Sequence, residues 1–154
     1  MIMTDPKNKP KAVVSTNLIV PEGVHNFESD DLADKSPKDD PIKRVIYIDD
    51  RVIPGAFYVE AAWAVDSLPR EHPEHAHDFD EICGFVGSDM SDTTDLGGEV
   101  DFSIDGKKMT ITKTCFIFIP AGVKHGGLNF RKINKPVFQI AMSPMKRFVS
   151  DPPT

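Results

Sequence analysis

Four residues of this 154-residue chain are the ones best suited to do chemistry together: His75, His77, Glu81 and His125. His75 and His77 stand two apart, and on an extended strand residues i and i+2 point to the same side. Their imidazoles can therefore reach one centre from one face. Glu81 comes four residues after His77, and a turn over Asp78 to Asp80 would return it beside the histidines on a neighbouring strand. His125 follows Pro120-Ala121-Gly122, a turn signal that aims it away from the path of the preceding strand. Three imidazole nitrogens and one carboxylate suit a single first-row divalent ion, with Mn, Fe, Ni and Zn all compatible.

The two segments that carry these residues resemble the paired motifs of the cupin superfamily. His75-x-His77, three residues, then Glu81 matches the first motif. Pro120-x-Gly122-x2-His125-x3-Asn129 matches the second. The resemblance implies that His75, His77, Glu81 and His125 are metal ligands. It also implies an all-β fold of the small RmlC-like kind, a jelly-roll barrel (double-stranded β-helix) with the ion near its mouth. Three glycines of the family pattern are displaced. Pro69 stands where the first motif opens, Gly87 comes one residue early, and Thr114 stands where the second motif opens. Those glycines serve turns and not metal chemistry.

The surrounding sequence predicts strands to position the motifs. Arg44–Ile48 reads as a strand. Ala56–Val65 alternates, with Tyr58, Glu60, Ala62 and Ala64 on one face and Phe57, Val59, Ala61, Trp63 and Val65 on the other. His75–Val86 reads as two strands joined by a tight turn, and Gly87–Gly98 as an acidic loop with the makings of a lid. Glu99–Ile104 and Lys107–Thr112 form a hairpin around Asp105-Gly106, the pair that a type I′ turn favours. Cys115–Ile119 is apolar throughout, as a strand buried on both faces should be. Pro136–Met142 is a further strand. Phe27–Ile42 reads as a solvated acidic connection. Many short strands between turn signals argue for a sandwich or barrel. The organisation expected is a tail over 1–11, a barrel over 12–148 with an irregular N-terminal part, and a second tail over 149–154.

Composition narrows the function classes. A formal charge of -6 argues against a general nucleic-acid or acidic-membrane surface. No run of about 20 apolar residues is present to span a bilayer, and the polar, proline-bearing start lacks a signal peptide's apolar core. The two cysteines, Cys83 and Cys115, lie in apolar surroundings outside any CxxC pair, which predicts free thiols and a cytoplasmic location.

Four protein ligands on a six-coordinate ion leave two positions open, as at a catalytic centre. Three neutral histidines, one carboxylate and a divalent ion sum to +1, which favours a small anionic organic partner. The expected function is a metal-dependent enzyme of cupin type; dioxygenase, decarboxylase, lyase and isomerase chemistry all stay open. The alternative is a ligand-binding or sensing module without turnover. If the Tyr58/Glu60 face lines the barrel, Glu60 and Tyr58 become candidates for general base and acid. Gln139 is either an inward ligand contact or a core amide, and Asn129 a turn stabiliser. Cys83 shares parity with Glu81 and reads as a small apolar lining group. Lys124 and His72 read as solvent-facing, and His25 as remote from the centre. The cupin resemblance also implies pairing through a sheet, for which the apolar strand Ala56–Val65 is the expected homodimer surface.

Overall fold

Eight strands account for the regular structure of this computed structural model, which describes residues 12–22, 24, 40–68 and 72–147. In chain order they are β1 (Ile42–Ile48), β2 (Tyr58–Ala64), β3 (Glu81–Gly87), β4 (Asp95–Ile104), β5 (Lys107–Lys113), β6 (Cys115–Ile119), β7 (His125–Ile133) and β8 (Val137–Ser143). They form a five-stranded sheet in the order β1-β2-β8-β3-β6 and a three-stranded sheet in the order β5-β4-β7. Every pairing is antiparallel. No helix occurs among the described residues. This is the two-sheet jelly roll, with non-sequential neighbours such as β2 beside β8 closing the roll. The tails over 1–11 and 149–154, His25 and most of the acidic connection lie outside the described residues.

Period-two alternation decides which side chains enter the roll. Along β2, Tyr58, Glu60, Ala62 and Ala64 are buried inside. Their cross-strand partners on β8 are Ser143, Ala141, Gln139 and Val137. The inner face of β3 carries Glu81, Cys83 and Phe85. Opposite them, the three-stranded sheet contributes Val100, Phe102, Ile111, Leu128 and Phe130. Phe85, Leu96, Val100, Phe130 and Val137 are almost wholly enclosed, so the end of the roll away from Glu81 is a filled apolar core.

The β4–β5 hairpin forms as its sequence predicts. Asp105 and Gly106 take φ values of 49° and 75°, the left-handed pair of a type I′ turn. Three expectations are corrected. His75–Val86 holds one strand and not two: residues 75–80 make a single bridge at His75 and then bend, because His75 pairs with His125 of the other sheet. The acidic loop is shorter than read, since β4 begins at Asp95. Cys115–Ile119 is buried on one face only. Cys115, Ile117 and Ile119 face the core, while Phe116 and Phe118 point outward and stay 59% and 62% exposed. The chain supplies no second layer over them among the described residues.

Cys83 sits opposite Ile117, and Cys115 opposite Phe85, so the register holds the two thiols apart. Both are free, as expected. Two of the displaced positions meet: the Gly87 amide donates to Thr114 Oγ1 at 3.0 Å.

Candidate metal centre

The two motif arms are laced together by backbone. His75 N donates to His125 O at 2.7 Å and His125 N to His75 O at 2.8 Å. Gly122, at φ 82°, donates to His77 O at 2.7 Å, and Ala121 N donates to Asp80 Oδ1 at 2.9 Å. Asp80 was not singled out by its sequence; an Asp just before a strand, able to cap a turn on another arm, is the only signal it gives. These bonds bring residues 48 positions apart into contact.

At that junction the nitrogens of His75, His77 and His125 come within 4.8 Å of one another. His77 Nε2 lies 3.2 Å from His125 Nε2. Glu81 Oε2 lies 3.0 Å from His77 Nε2 and 2.9 Å from His125 Nε2. His77, Glu81 and His125 are buried; His75 is exposed and marks the mouth. Each ring is held from behind. His125 Nδ1 donates to Val123 O at 2.9 Å, which leaves its Nε2 lone pair facing the centre. His75 Nδ1 faces Pro73 O at 3.3 Å. The His77 ring stacks on Phe79, with centroids 4.4 Å apart and planes 10° from parallel.

This donor set fits a metal ion. A nitrogen lone pair and a carboxylate oxygen held 2.9 Å apart repel unless a cation, proton or metal, sits between them. Two ligands at right angles about 2.1 Å from an ion are themselves about 3.0 Å apart, and the three close spacings here run from 2.9 to 3.2 Å. Burial works against a charge on His125, but the bond to Glu81 and the carbonyl of Val123 outweigh it and hold its pKa above the usual histidine value, which favours a proton there in the metal-free protein.

Tyr58 and Glu60 face the interior, on the metal side of the apolar core. Their surroundings assign a geometry that the sequence did not reveal. Arg44 Nε and Nη2 both reach Glu60 Oε1, at 2.9 and 2.8 Å, and the Tyr58 hydroxyl donates to Glu60 Oε2 at 3.1 Å. Both carboxylate oxygens are thus engaged. Tyr58 is 3% exposed, and burial, followed by the charges of Glu60 and Glu81, pushes its phenol well above the ordinary tyrosine pKa. Arg44 was missed because a bulge between Arg44 and Ile46 shifts the parity of β1, so alternation alone cannot assign its side. Behind this group, buried Asp49 takes the Arg51 guanidinium (Nε at 2.9 Å) and the Tyr47 hydroxyl at 3.1 Å.

The remaining candidates fall into place around the centre. Cys83 lines the interior one step below Glu81, and burial and then the Glu81 charge push its thiol well up, away from thiolate chemistry. Ala141 faces inward opposite Cys83. Gln139 faces inward between Ala62 and Phe85; its Oε1 is buried without a hydrogen-bond partner among the described residues. Asn129 lies opposite Asp101 in mid-strand, and its Oδ1 is likewise buried and unbonded, which does not match a turn-stabilising role. Lys124 is exposed, as expected. His72 is half-buried, and its amide bonds Leu128 O at 2.9 Å. The 88–94 loop is tied down by Asx-type bonds within itself and by the Asp89–Lys135 ion pair.

Neither a family model nor a curated protein matches the sequence. Solved structures do resemble it. KdgF from Halomonas sp. is 16% identical over 68% of this chain and 79% of its own, with a TM-score of 0.42. An RmlC-like cupin from Shewanella frigidimarina is 18% identical over 70% and 79%, with a TM-score of 0.43. A cupin protein from Bacteroides fragilis is 13% identical over 78% and 93%, with a TM-score of 0.43. At such identities and TM-scores these likenesses carry no argument of their own. The chain's own features carry more: two antiparallel sheets in a roll, a His-x-His arm ahead of β3, and a Pro-x-Gly turn that delivers a third histidine to the same spot. In fold this chain is a two-sheet antiparallel jelly roll, which agrees with the RmlC-like cupin fold that its motifs resemble.

Proposed function

We propose that the chain is a metal-dependent enzyme acting on a small anionic organic molecule, with His75, His77, Glu81 and His125 as the ligands of one divalent ion, Mn, Fe, Ni or Zn. The observation that carries this is the buried meeting of two imidazole nitrogens and one carboxylate oxygen at 2.9–3.2 Å, with a third imidazole at the mouth. When bound, the ion supplies a Lewis acid and lowers the pKa of a coordinated water. The protein's own groups do the rest. Glu81 offsets one of the ion's two charges, and the residual positive charge draws an anion. Tyr58, protonated and anchored on Glu60, offers a fixed hydroxyl on the same interior face. Glu60 itself is a poor free base, because Arg44 and Tyr58 occupy both its oxygens; it acts as a positioning residue for Tyr58. The free, separated thiols suit a reducing cytoplasm.

The engagement of Glu60 also favours a second function: a ligand-binding or sensing module with the same metal and no turnover. Metal analysis of protein purified without an affinity tag tests the shared premise. About one equivalent of transition metal is expected in the wild type, and a large loss in His77→Ala and His125→Ala. Wild-type protein that stays metal-free after incubation with each of the four ions would end both readings. Screening small carboxylates and hydroxy acids with and without oxygen then separates them. Turnover supports the enzyme; a raised melting temperature with no product supports the module.

A further inference from the structure

We infer that the inside of the roll carries a second recognition point below the metal centre, where Gln139 accepts a hydrogen bond from a hydroxyl at the far end of the bound acid; the substrate is then a short hydroxy acid. The inference rests on the metal-dependent reading above and deepens it. Gln139 lies on β8, in the middle of the five-stranded sheet, with Ala62 on one side and Phe85 on the other. It is 8% exposed, and its Oε1 is buried with no hydrogen bond among the described residues. A buried amide oxygen without a partner costs about 1–3 kcal/mol. An apolar side chain of similar size avoids that cost, so packing alone does not account for an amide here. A ligand that donates to Oε1 recovers it.

The sheet sets this amide in line with the metal centre. The inward residues of β8 run Val137, Gln139, Ala141, Ser143, and those of β3 beside them run Phe85, Cys83, Glu81. Between Gln139 and the Glu81 end, these two strands place inward the short side chains of Ala141 and Cys83. The Phe102 ring flanks the same stretch from the other sheet, its centroid 6.0 Å from that of Phe85 and 6.4 Å from that of His125. A ligand that runs from the ion to Gln139 thus crosses apolar surroundings and meets a polar group again at its end. Buried Phe85 and Val137 beside the amide make a charged donor costly to desolvate. The donor that fits is a neutral hydroxyl.

Strand geometry gives the length. Gln139 pairs with Phe85, four residues along β3 from Glu81, which is about 13 Å at about 3.3 Å per residue. Side chains stand roughly perpendicular to a sheet, so their tips keep this offset. Two metal–oxygen bonds of about 2.1 Å and one hydrogen bond of about 2.8 Å take up some 7 Å of it. About 6 Å is left between the ligand's terminal oxygens, the span of about four carbon atoms joined by bonds near 1.5 Å. A carboxylic acid of four or five carbons with a hydroxyl at its far end meets both requirements.

Calorimetric titration of the wild type, loaded with whichever of the four ions it retains, tests this with 4-hydroxybutanoate and with pentanoate, a chain of the same length without the hydroxyl. Metal content is measured on the same samples. The wild type is expected to bind the hydroxy acid about tenfold more tightly than pentanoate. Gln139→Met should bind the two acids alike, with metal content unchanged and a stripped-protein Tm no lower than that of the wild type. Should Gln139→Met fail to fold, Gln139→Asn takes its place: its amide is one carbon shorter, and its preference should move from 4-hydroxybutanoate to 5-hydroxypentanoate. A loaded wild type with no preference for the hydroxy acid overturns the inference and leaves the metal reading standing, whereas a wild type that takes up no metal ends both. A preference that persists in Gln139→Met, or a stripped Gln139→Met protein several degrees less stable than the wild type, also overturns it, since the amide would then serve the fold and not the ligand.

Discussion

Gly126→Ala should weaken metal binding without touching a ligand. Gly126 holds φ at 121°, a conformation that L side chains rarely adopt. A Cβ placed there would lie 2.8 Å from Pro73 O, 3.2 Å from Glu74 Cα and 3.4 Å from His75 Nδ1. Against an ordinary contact of 3.4 Å, the shortfall at Pro73 is 0.6 Å (3.4 less 2.8). The obstructing atom is backbone, so no rotamer change relieves it. The arm cannot simply swing away, because His72 N bonds Leu128 O at 2.9 Å and His75 N bonds His125 O at 2.7 Å on the same strand. Residues 73–75 must retreat by about half an ångström, whereas metal–ligand bonds tolerate about 0.2 Å. The expected loss in metal affinity is about 10- to 100-fold, the range seen when support for a ligand is removed. Backbone strain costs a further 1–3 kcal/mol or so, about 2–10 °C in Tm for a chain of this size. A competition titration against a chelating indicator, run beside His75→Ala, reads the first effect; calorimetry of the stripped protein reads the second. His75→Ala should match the affinity loss with little change in the stripped protein's Tm. If Gly126→Ala folds and binds metal like the wild type while His75→Ala does not, close backbone packing is not what positions His75.

Three further outcomes follow from the same geometry. In the stripped protein the raised pKa of His125 adds stability that is complete below the unfolded histidine value of about 6.5 and fades as pH rises through the folded value; since metal replaces that proton, the Tm gap between loaded and stripped protein should widen from about pH 6 to about pH 8, and a gap that narrows would contradict the shared site. Glu60→Ala removes the carboxylate shared by Arg44, whose side chain is 9% exposed, and Tyr58, and should cost more in urea unfolding than the roughly 1.5–3 kcal/mol of Tyr58→Phe, which removes one bond to a charged group; equal and small effects would mean the cluster is solvated. Gly87→Ala puts a Cβ 2.0 Å from the Asp95 carbonyl oxygen, where the two sheets approach each other, and should destabilise the stripped protein by about 3 kcal/mol; an unchanged melting curve would show that the crossing has room.

What the sequence disclosed, and what it hid, divides by the range of the interaction responsible. The candidate residues and their spacings were readable because the motif arms are local: Gly122 of the Pro120-Ala121-Gly122 turn and the Asp105-Gly106 pair of the hairpin take the positive φ their sequence favours. That the His75 arm meets the His125 arm was readable from the paired motifs, but the backbone bridge between His75 and His125, 50 residues apart, was not, because β-pairing over such a distance leaves no local mark. Arg44 escaped for a different reason. A bulge of one residue inverts the parity on which every inside–outside assignment rests, and nothing in Ile42–Ile48 announces it.

The misjudged face of β6 is the most informative case. Alternation and hydropathy describe what a strand needs covered and not what the same chain can cover. Phe116 and Phe118 state a demand that no described residue meets. The polar group on the opposite side of this sheet, Arg44, Tyr58, Glu60 and Glu81, is the complementary case: ionisable side chains buried where an apolar core would be more stable. Buried charge that is hydrogen-bonded at every oxygen, as in Glu60, holds a shape. Buried groups that bring imidazole nitrogen against carboxylate oxygen, as in His77, Glu81 and His125, suit a shared cation, proton or metal. The roll thus departs from self-sufficiency twice, in an inner cluster whose donors fit a cation and in an outer β6 face that no described residue covers, and each is open to test without the other.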